Sequence, residues 1–345
     1  MFYNRLRQRR ILYFAFSNLF IMKNLSLISL FIGLAIDIHA QLPTGSWSAI
    51  TPITNAEKRH ESGFVECDGK FYALGGRGIK PVEVYDPKSN RWDNLGTAPI
   101  EFHHFQAMSF QHEIYIIAAL TGKYPHEQPI DHFLIFNPKT KSWRDGAALP
   151  SDRIRGSAGI CSYKNKIYIV SGIQDGHWAG HVTWFDEYDP STGQWRKLPD
   201  APRARDHFQA AILGDKLYVA GGRTSHAAIG KVLDLTIGEV DVFDFKSGKW
   251  STWANPLPTL RAGTTSVVKK PYIIVMNGES SKQVPAHSEV EALDTRTGNW
   301  VRLPDLMQGR HGTSAVYWKH KMYVMAGSAN RGGGPELNTM ECLDW

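Results

Sequence analysis

Short hydrophobic runs that close on small residues recur along the chain about every 50 positions. The six runs are KFYALGG (70–76), EIYIIAA (113–119), KIYIVSG (166–172), KLYVAGG (216–222), YIIVMNG (272–278) and KMYVMAG (321–327). Runs of this length that are rich in β-branched and aromatic residues, and that end at glycine, are typical of buried β-strands. Their spacing predicts that one structural unit is repeated six times.

A second marker follows each of the first five runs, and it consists of a polar turn that ends at a tryptophan. The turns are DPKSNRW (86–92), NPKTKSW (137–143), DPSTGQW (189–195), DFKSGKW (244–250) and DTRTGNW (294–300). Such turns connect strands, so each copy is predicted to contain four short strands. A small sheet of this kind buries both faces only by stacking on its neighbours. We therefore expect an all-β fold, a six-bladed β-propeller.

The sixth copy stops after its third predicted strand, in NTMECLDW (338–345). Near the other end of the chain, GSWSAI (45–50) carries Trp47 without the rest of a repeat. We expect this stretch to be the fourth strand of the last blade, because pairing of the first and last repeats leaves no open seam in the ring.

The glycine pair, the tyrosine before it and the trailing tryptophan resemble those of the kelch β-propeller family, in its bacterial exported form. The resemblance extends over about 300 residues and recurs in six copies. It implies that residues 41–345 form one six-bladed kelch propeller whose last blade is closed by the N-terminal strand. A propeller fold does not by itself imply a function.

The first 40 residues have the order of features found in secretory signals. Lys23 is followed by the apolar run LSLISLFIGLAI (25–36), and the small residue Ala40 closes the segment. We interpret residues 1–40 as a leader and Met22 as the true start. The apolar run is short for a membrane span, although an N-terminal anchor is the alternative. We expect export to the periplasm or the extracellular space, with no stable membrane insertion after the leader is removed.

Composition supports the all-β prediction and limits the classes of partner. The chain has 11 Trp, 13 Tyr and 16 Phe together with 31 Gly and 18 Pro, which favours strands joined by turns. Its formal net charge of +6 comes partly from the leader, so the charge predicts no nucleic-acid partner. The odd number of cysteines, Cys67, Cys161 and Cys342, allows at most one internal disulfide, and buried thiols are expected.

In five of the six copies an arginine precedes the apolar run at a fixed distance, and an acidic residue occupies a fixed place in the third strand that follows. The second copy lacks both, with Phe102 and Leu134 in these slots and Ala119 in place of the glycine. Three departures in one copy predict a single lost interaction, an ion pair within the blade. The predicted structural pairs are Arg59–Glu83, Arg155–Asp186, Arg205–Asp241, Arg261–Glu291 and Arg310–Glu341. The alternative is that these arginines surround the channel mouth and hold anions.

The starts of the first strands and the loops after the second strands are predicted to share one face of the disc. Ten of the 14 histidines fall in these segments. We expect this mouth to bind a carbohydrate or an anionic small molecule, because aromatic rings stack on sugars and polar donors hold hydroxyl and carboxylate groups. The candidate ligand-binding residues are Phe102, His103, His104, His177, Trp178, His207, Lys282, His311 and Arg331. A protein–protein interaction module is the alternative.

No metal or cofactor is predicted, because the sequence contains no HExxH motif, zinc-finger spacing, P-loop or dinucleotide fingerprint. The adjacent residues His103 and His104 are expected to point apart, since side chains alternate along a strand.

The stretch VMNGES (275–280) is similar to one in the periplasmic kelch mutarotases that act on sialic acid, the N-acetylneuraminate epimerases. That resemblance implies an acid/base role for Glu279 in opening or closing a sugar ring. The arginine that accompanies this glutamate in the family is replaced by Pro285, and Lys282 and His287 are the nearest substitutes. A sugar mutarotase or epimerase that uses Glu279 and His287 is therefore the alternative to a binding module.

Overall fold

The computed structural model describes residues 42–345, and their regular structure is almost entirely β-strand. Six antiparallel four-stranded sheets form the blades, and one turn of 3₁₀ helix, Ala227–Ile229, interrupts a loop. The predicted leader, residues 1–40, lies outside the described residues. Between residues 42 and 345 no helix has both the length and the apolar character needed to cross a membrane.

Each blade is built from four strands. In blades one to five the strands follow chain order from the axis outwards, whereas the outermost strand of blade six precedes all the others in the chain. The strands of blades one and two are Ser62–Cys67, Lys70–Gly75, Pro81–Asp86 and Arg91–Thr97, then Gln106–Phe110, Glu113–Ile117, His132–Asn137 and Ser142–Ala148. Those of blades three and four are Gly159–Tyr163, Lys166–Val170, Phe185–Asp189 and Gln194–Leu198, then Ala210–Leu213, Lys216–Val219, Asp241–Asp244 and Lys249–Thr252. Those of blades five and six are Thr265–Lys269, Tyr272–Met276, Val290–Asp294 and Trp300–Leu303, then Ala315–Trp318, Lys321–Met325, Met340–Asp344 and Ser48–Ile50.

Two loops that follow second strands form small ribbons of their own. Leu120–Thr121 pairs with Gln128–Pro129 in blade two, and Ile173–Asp175 pairs with Ala179–His181 in blade three. These ribbons stiffen the loops on one face of the disc, where several histidines lie.

The last blade is closed by the N-terminal strand, which confirms the prediction from the sequence. Ser48 lies opposite Cys342, and Ile50 lies opposite Met340. The indole of Trp47 is buried and donates a hydrogen bond to the carbonyl oxygen of Pro304 in blade five, at 2.9 Å. The repeat tryptophans of blades three, four and five reach the preceding blade in the same way, as Trp250 does at the carbonyl of Pro199, at 2.8 Å. Trp47 is therefore the missing tryptophan of the sixth copy.

The hydrophobic core lies between neighbouring blades, since each sheet buries its faces against the next. Between blades six and one, for example, the ring of Phe71 packs 4.8 Å from Tyr323 and 5.5 Å from Trp318. Burial of one large apolar side chain stabilises a fold by about 1.5–3 kcal/mol, so these repeated contacts hold the ring together. All three cysteines are free thiols, and Cys67 and Cys161 are buried.

The first strands line the axis, and a polar side chain joins three of them. Gln106 of blade two accepts hydrogen bonds from the amides of Ile160 (2.8 Å) and Ala210 (2.9 Å), which belong to blades three and four. Its amide group also donates to the carbonyl of Ala210 at 2.9 Å. This side chain therefore links the first strands of three consecutive blades.

Candidate functional site

A repeated backbone turn places one residue of each blade at the axis. In every blade a three-residue segment precedes the first strand, and it begins at the arginine slot that Phe102 fills in blade two. The third residue of this segment has a left-handed φ between 51° and 66°. These six residues, called the axial ring below, are Glu61, His104, Ser157, His207, Gly263 and Gly312. Left-handed φ is uncommon for residues other than glycine and marks positions held by their surroundings. Gly312 needs to be glycine for a second reason, because a Cβ there would lie 2.8 Å from the carboxylate carbon of Glu61.

Behind the axial ring, the five predicted arginine–acid pairs are in contact and buried. The nitrogen–oxygen distances are 2.5 Å for Arg59–Glu83, 2.8 Å for Arg155–Asp186, 2.6 Å for Arg205–Asp241 and 2.7 Å for Arg261–Glu291, and Arg310 contacts Glu341. Each guanidinium also donates to carbonyls of its own blade, as Arg261 does to Asn277 at 2.9 Å. These arginines are fully buried, so they position the ring and are not free to hold a ligand.

Blade two replaces this pair with an apolar contact, and this overturns one expected ligand contact. Phe102 is fully buried and packs against Phe105 (5.3 Å) and Trp143 (5.6 Å). The expectation that Phe102 is an exposed aromatic at the mouth is wrong, because its ring occupies the buried volume that arginine fills in the other blades. Leu134, in the slot of the acid, belongs to the same apolar cluster.

Three buried histidines converge beside the axis: His104, His177 and His207. Their ring centroids are 4.7–5.0 Å apart, and one nitrogen of each lies within 4.8 Å of the others. Glu127 holds Nδ1 of His177 at 3.0 Å, and Asp206 contacts Nδ1 of His207. Burial, together with the charge of Arg223, lowers the pKa of His207. Neutral imidazoles that are fixed by carboxylates are suited to bind a metal ion.

A second polar cluster lies next to the first and joins blades four, five and six. Arg223 donates to Glu279 at 2.6 Å, and His311 lies 3.5 Å from the same carboxylate. Burial opposes ionisation of Glu279, but His311 and Arg223 outweigh it and lower the pKa of Glu279 to about 2. Burial likewise opposes the charge on His311, but Glu279 and Glu61 raise the pKa of the imidazole. A carboxylate base therefore faces an imidazole that is readily protonated.

Both clusters open into one cavity of about 510 Å³, called the axial cavity below. It is lined by His60, Glu61, Arg77, His104, Tyr124, His177, Arg223, Val232, Leu233, Glu279, His311, Gly332 and Gly333. Glu61 and His104 of the axial ring belong to this lining, and its other residues lie in segments whose sequences differ from blade to blade. A volume of this size accommodates a small organic molecule.

The structure brings only some of the predicted residues to this cavity. His287 is turned away from Glu279, since its two nitrogens contact Ser280 (3.0 Å) and Glu289 (3.0 Å). The predicted Glu279–His287 pair is therefore wrong, and His311 takes the place of His287. His103 is fully buried, and its Nδ1 lies 2.6 Å from Nδ1 of His104. The two rings do not point apart as predicted, because the left-handed φ of His104 breaks the alternation of the strand.

The remaining predicted residues lie on the loops around the cavity and not in its lining. Trp178 is 37% exposed and packs against His126, with the ring centroids 4.6 Å apart and the rings tilted by 38°. Arg331 donates to the carbonyl of Ser281 at 2.6 Å, and the amide of Lys282 contacts the hydroxyl of Ser280 at 3.4 Å. They remain candidates for contact with a ligand that extends beyond the cavity.

Sequence reasoning missed several residues of the site. Glu127 and Tyr124 lie in a long loop, where nothing in the sequence indicates which side chains turn inwards. Glu61 occupies the place of His104 and His207 in its own blade, so an alignment of the six segments would have revealed it. Asp206 directly precedes His207, and an aspartate next to a histidine indicates that the imidazole is oriented by a carboxylate.

Comparison with known proteins agrees with the architecture. Residues 104–327 match the family model described as the KLHDC2/KLHL20/DRC7 Kelch-repeats domain. The chain is similar to "Kelch-like protein terF" of Aspergillus terreus (27% identity, 77% of this chain, 57% of the relative). It is also similar to "Kelch-like protein 40" of Xenopus tropicalis (24% identity, 59% of this chain, 33% of the relative). The chain thus spans less than two-thirds of the length of either relative.

Among solved structures, the chain is similar to the one described as "Structure of YjhT". The TM-score is 0.69 at 15% sequence identity, and the match covers 84% of this chain and 96% of the other. At this identity the likeness concerns the fold alone, and the chemistry has to be argued from the residues of the axial cavity.

Proposed function

The chain belongs to the kelch-repeat family, and from that premise we propose that it is an exported propeller that binds a carbohydrate in the axial cavity. The observation that carries the proposal is the lining of this cavity, where paired donors and acceptors lie beside apolar surface. Arg223 and Glu279 are buried at one wall, and the amide of Gly332 donates to Glu279 at 2.8 Å. Val232 and Leu233 also line the cavity.

A sugar ring requires hydroxyl partners at its edge and an apolar surface against its face. Tyr124 is the aromatic residue best placed for the second role, since it lines the cavity and is 57% exposed. Its ring also lies 5.3 Å from His177, which ties it to the histidine cluster. This assignment replaces Trp178 as the stacking residue, because Trp178 lies outside the lining and packs against His126.

The charge of the cavity favours a neutral sugar over an acidic one. Both arginines in the lining are already paired, Arg77 with Glu127 at 2.6 Å and Arg223 with Glu279 at 2.6 Å. A carboxylate on the ligand would have to compete with these buried glutamates for the same donors. Acidic sugars therefore form the second arm of the binding experiment.

Calorimetric titration with a panel of neutral and acidic monosaccharides tests this proposal. We expect saturable binding of at least one neutral sugar, and a loss of affinity of about tenfold or more in Tyr124→Ala and Glu279→Gln. His126→Ala, on the same face but outside the lining, is the matched control and should bind as the wild type does. If no sugar binds, or if the Tyr124 and Glu279 variants keep full affinity, the axial cavity is not a carbohydrate site.

A sugar mutarotase is the second candidate, and the Glu279–His311 contact favours it. Anomer exchange requires a proton acceptor for the anomeric hydroxyl and a proton donor for the ring oxygen. Glu279 is ionised because of its lowered pKa, and the raised pKa of His311 suits a donor. Exchange NMR on reducing sugars should then show acceleration that is lost in Glu279→Gln and His311→Asn. If the protein does not change the rate of anomer exchange of any neutral or acidic sugar, the mutarotase hypothesis is excluded and a binding function without turnover is left.

A protein partner is the third candidate, since kelch domains commonly mediate protein interactions. Exposed apolar side chains on the loops around the cavity favour it, among them Ile79 (59% exposed), Ile229 (61%) and Val284 (56%).

Export rests on the leader alone. Amino-terminal sequencing of the secreted protein should give Gln41 as the first residue, whereas a retained leader would contradict the expected export.

A further inference from the structure

The three histidines beside the axis have the arrangement of a metal site. His104 and His207 occupy equivalent places in the axial ring of blades two and four, and His177 reaches between them from the ribbon of blade three. One nitrogen of each lies within 4.8 Å of the others. Zinc–nitrogen bonds of about 2.1 Å place tetrahedral ligands roughly 3.4 Å apart, so the imidazoles need to draw together by about an ångström.

The orientation of two of these rings is fixed from behind by carboxylates. Asp206 contacts Nδ1 of His207 and is itself held by the amide (2.9 Å) and hydroxyl (2.7 Å) of Ser225. Glu127 holds Nδ1 of His177 at 3.0 Å. A carboxylate at Nδ1 keeps the proton there and leaves the lone pair of Nε2 for a metal ion.

One of these nitrogens has no partner within the described residues. Nε2 of His207 is fully buried and makes no hydrogen bond. An unsatisfied buried polar atom costs about 1–3 kcal/mol, so its presence requires an explanation. A bound cation supplies one, because the nitrogen would then be coordinated.

The charge around the cluster also favours a cation. Four carboxylates, those of Glu61, Glu127, Asp206 and Glu279, face two guanidinium groups, those of Arg77 and Arg223. When these six groups are ionised, they carry an excess of two negative charges.

We propose that His104, His177 and His207 bind one divalent transition-metal ion, with Zn²⁺ the expected occupant, at the floor of the axial cavity. Imidazole nitrogen is a preferred ligand of Zn²⁺. Three protein ligands leave a fourth coordination position, and since His104 and His177 line the axial cavity, this position faces the space where a small molecule would enter. An open position is the property that distinguishes reactive metal sites from structural ones.

Metal titration of the purified, chelator-treated protein tests the site without any sugar. We expect one equivalent of Zn²⁺ to bind, and Co²⁺ to give the visible absorption of a tetrahedral complex. His177→Ala and His207→Ala should each weaken Zn²⁺ binding by more than about 100-fold, whereas loss of a supporting carboxylate in Glu127→Gln should weaken it by about 10- to 100-fold. The exposed His126→Ala is the matched control and should leave affinity unchanged.

Circular dichroism of each metal-free variant establishes whether the variant is folded. If a histidine variant does not fold, the Zn²⁺ affinity of Glu127→Gln gives a second test. The proposal is overturned if the wild type binds no Zn²⁺ with one-to-one stoichiometry, or if both histidine variants bind it as tightly as the wild type. Sugar titrations on chelator-treated protein separate this result from the proposed function, because either site can fail while the other is retained.

Discussion

Removal of one buried arginine tests the claim that the arginine–acid pairs are scaffold. Arg261 is fully buried, and its guanidinium lies 2.7 Å from Glu291, whose side chain is only 3% exposed. The same guanidinium donates to four carbonyls, those of Asn277, Thr259, Val275 and Glu289, at 2.9–3.3 Å. Arg261→Met keeps much of the volume but leaves a buried carboxylate whose remaining close donor, among residues 42–345, is Thr259.

The expected loss is about 3–5 kcal/mol of unfolding free energy, because one partner of a buried pair is left uncompensated. Total stability of a domain is typically 5–15 kcal/mol, so this loss would be a large share of it. The double variant Arg261→Met/Glu291→Leu removes the stranded charge and should recover about 0.5–3 kcal/mol relative to the sum of the single losses. Blade two already contains such an apolar version, with Phe102 and Leu134 in the two slots.

Urea unfolding followed by tryptophan fluorescence measures these differences, with midpoints compared at unchanged slope. Arg302→Met is the matched control, since Arg302 lies 3.9 Å from Glu291 but is 50% exposed, and it should cost less than about 1 kcal/mol. If Arg261→Met loses less than about 1 kcal/mol, or if the double variant loses as much as both single variants together, the pairs do not stabilise the blades in this way.

Two further predictions concern closure of the ring and its dependence on pH. Trp47→Ala should lower the unfolding free energy by about 3–5 kcal/mol because the indole is buried against blade five. Ile53 is 69% exposed, so the control variant Ile53→Ala should lose less than about 0.5 kcal/mol. Equal losses for the two variants in urea unfolding would contradict the closure of the ring by the N-terminal strand. Burial and the charge of Arg77 lower the pKa of His103 to about 4. The unfolded chain therefore binds a proton that the folded chain excludes between about pH 6.5 and pH 4, and unfolding free energy should fall as pH falls through this window. His103→Gln should flatten the decline, and an unchanged pH profile would show that His103 is not held neutral.

The sequence was sufficient for the fold because repetition supplies six independent records of the same unit. The apolar runs, the turn tryptophans and the arginine–acid slots each recur, so a departure such as Phe102 is visible as a departure. Closure by residues 45–50 followed from a missing tryptophan in the last copy. The repeat thus determines what is common to all blades.

The site could be predicted only in part, because it is built from what the blades do not share. His104, His177, His207 and His311 were expected at the mouth, and all four lie there. Their partners were not foreseen, since Glu127 and Tyr124 belong to loops that have no periodicity. The turn of the backbone at His104 also reverses an expectation based on strand geometry, because a single left-handed φ redirects a side chain.

The most direct test of the central claim is a crystal structure of the protein soaked with the sugar that binds most tightly in the titration panel. Ligand density in the axial cavity is predicted, in contact with Tyr124, Arg223 and Glu279. Density confined to the outer groove between blades three and four, beside Tyr163 and Phe245, would contradict the assignment of the axial cavity as the ligand site.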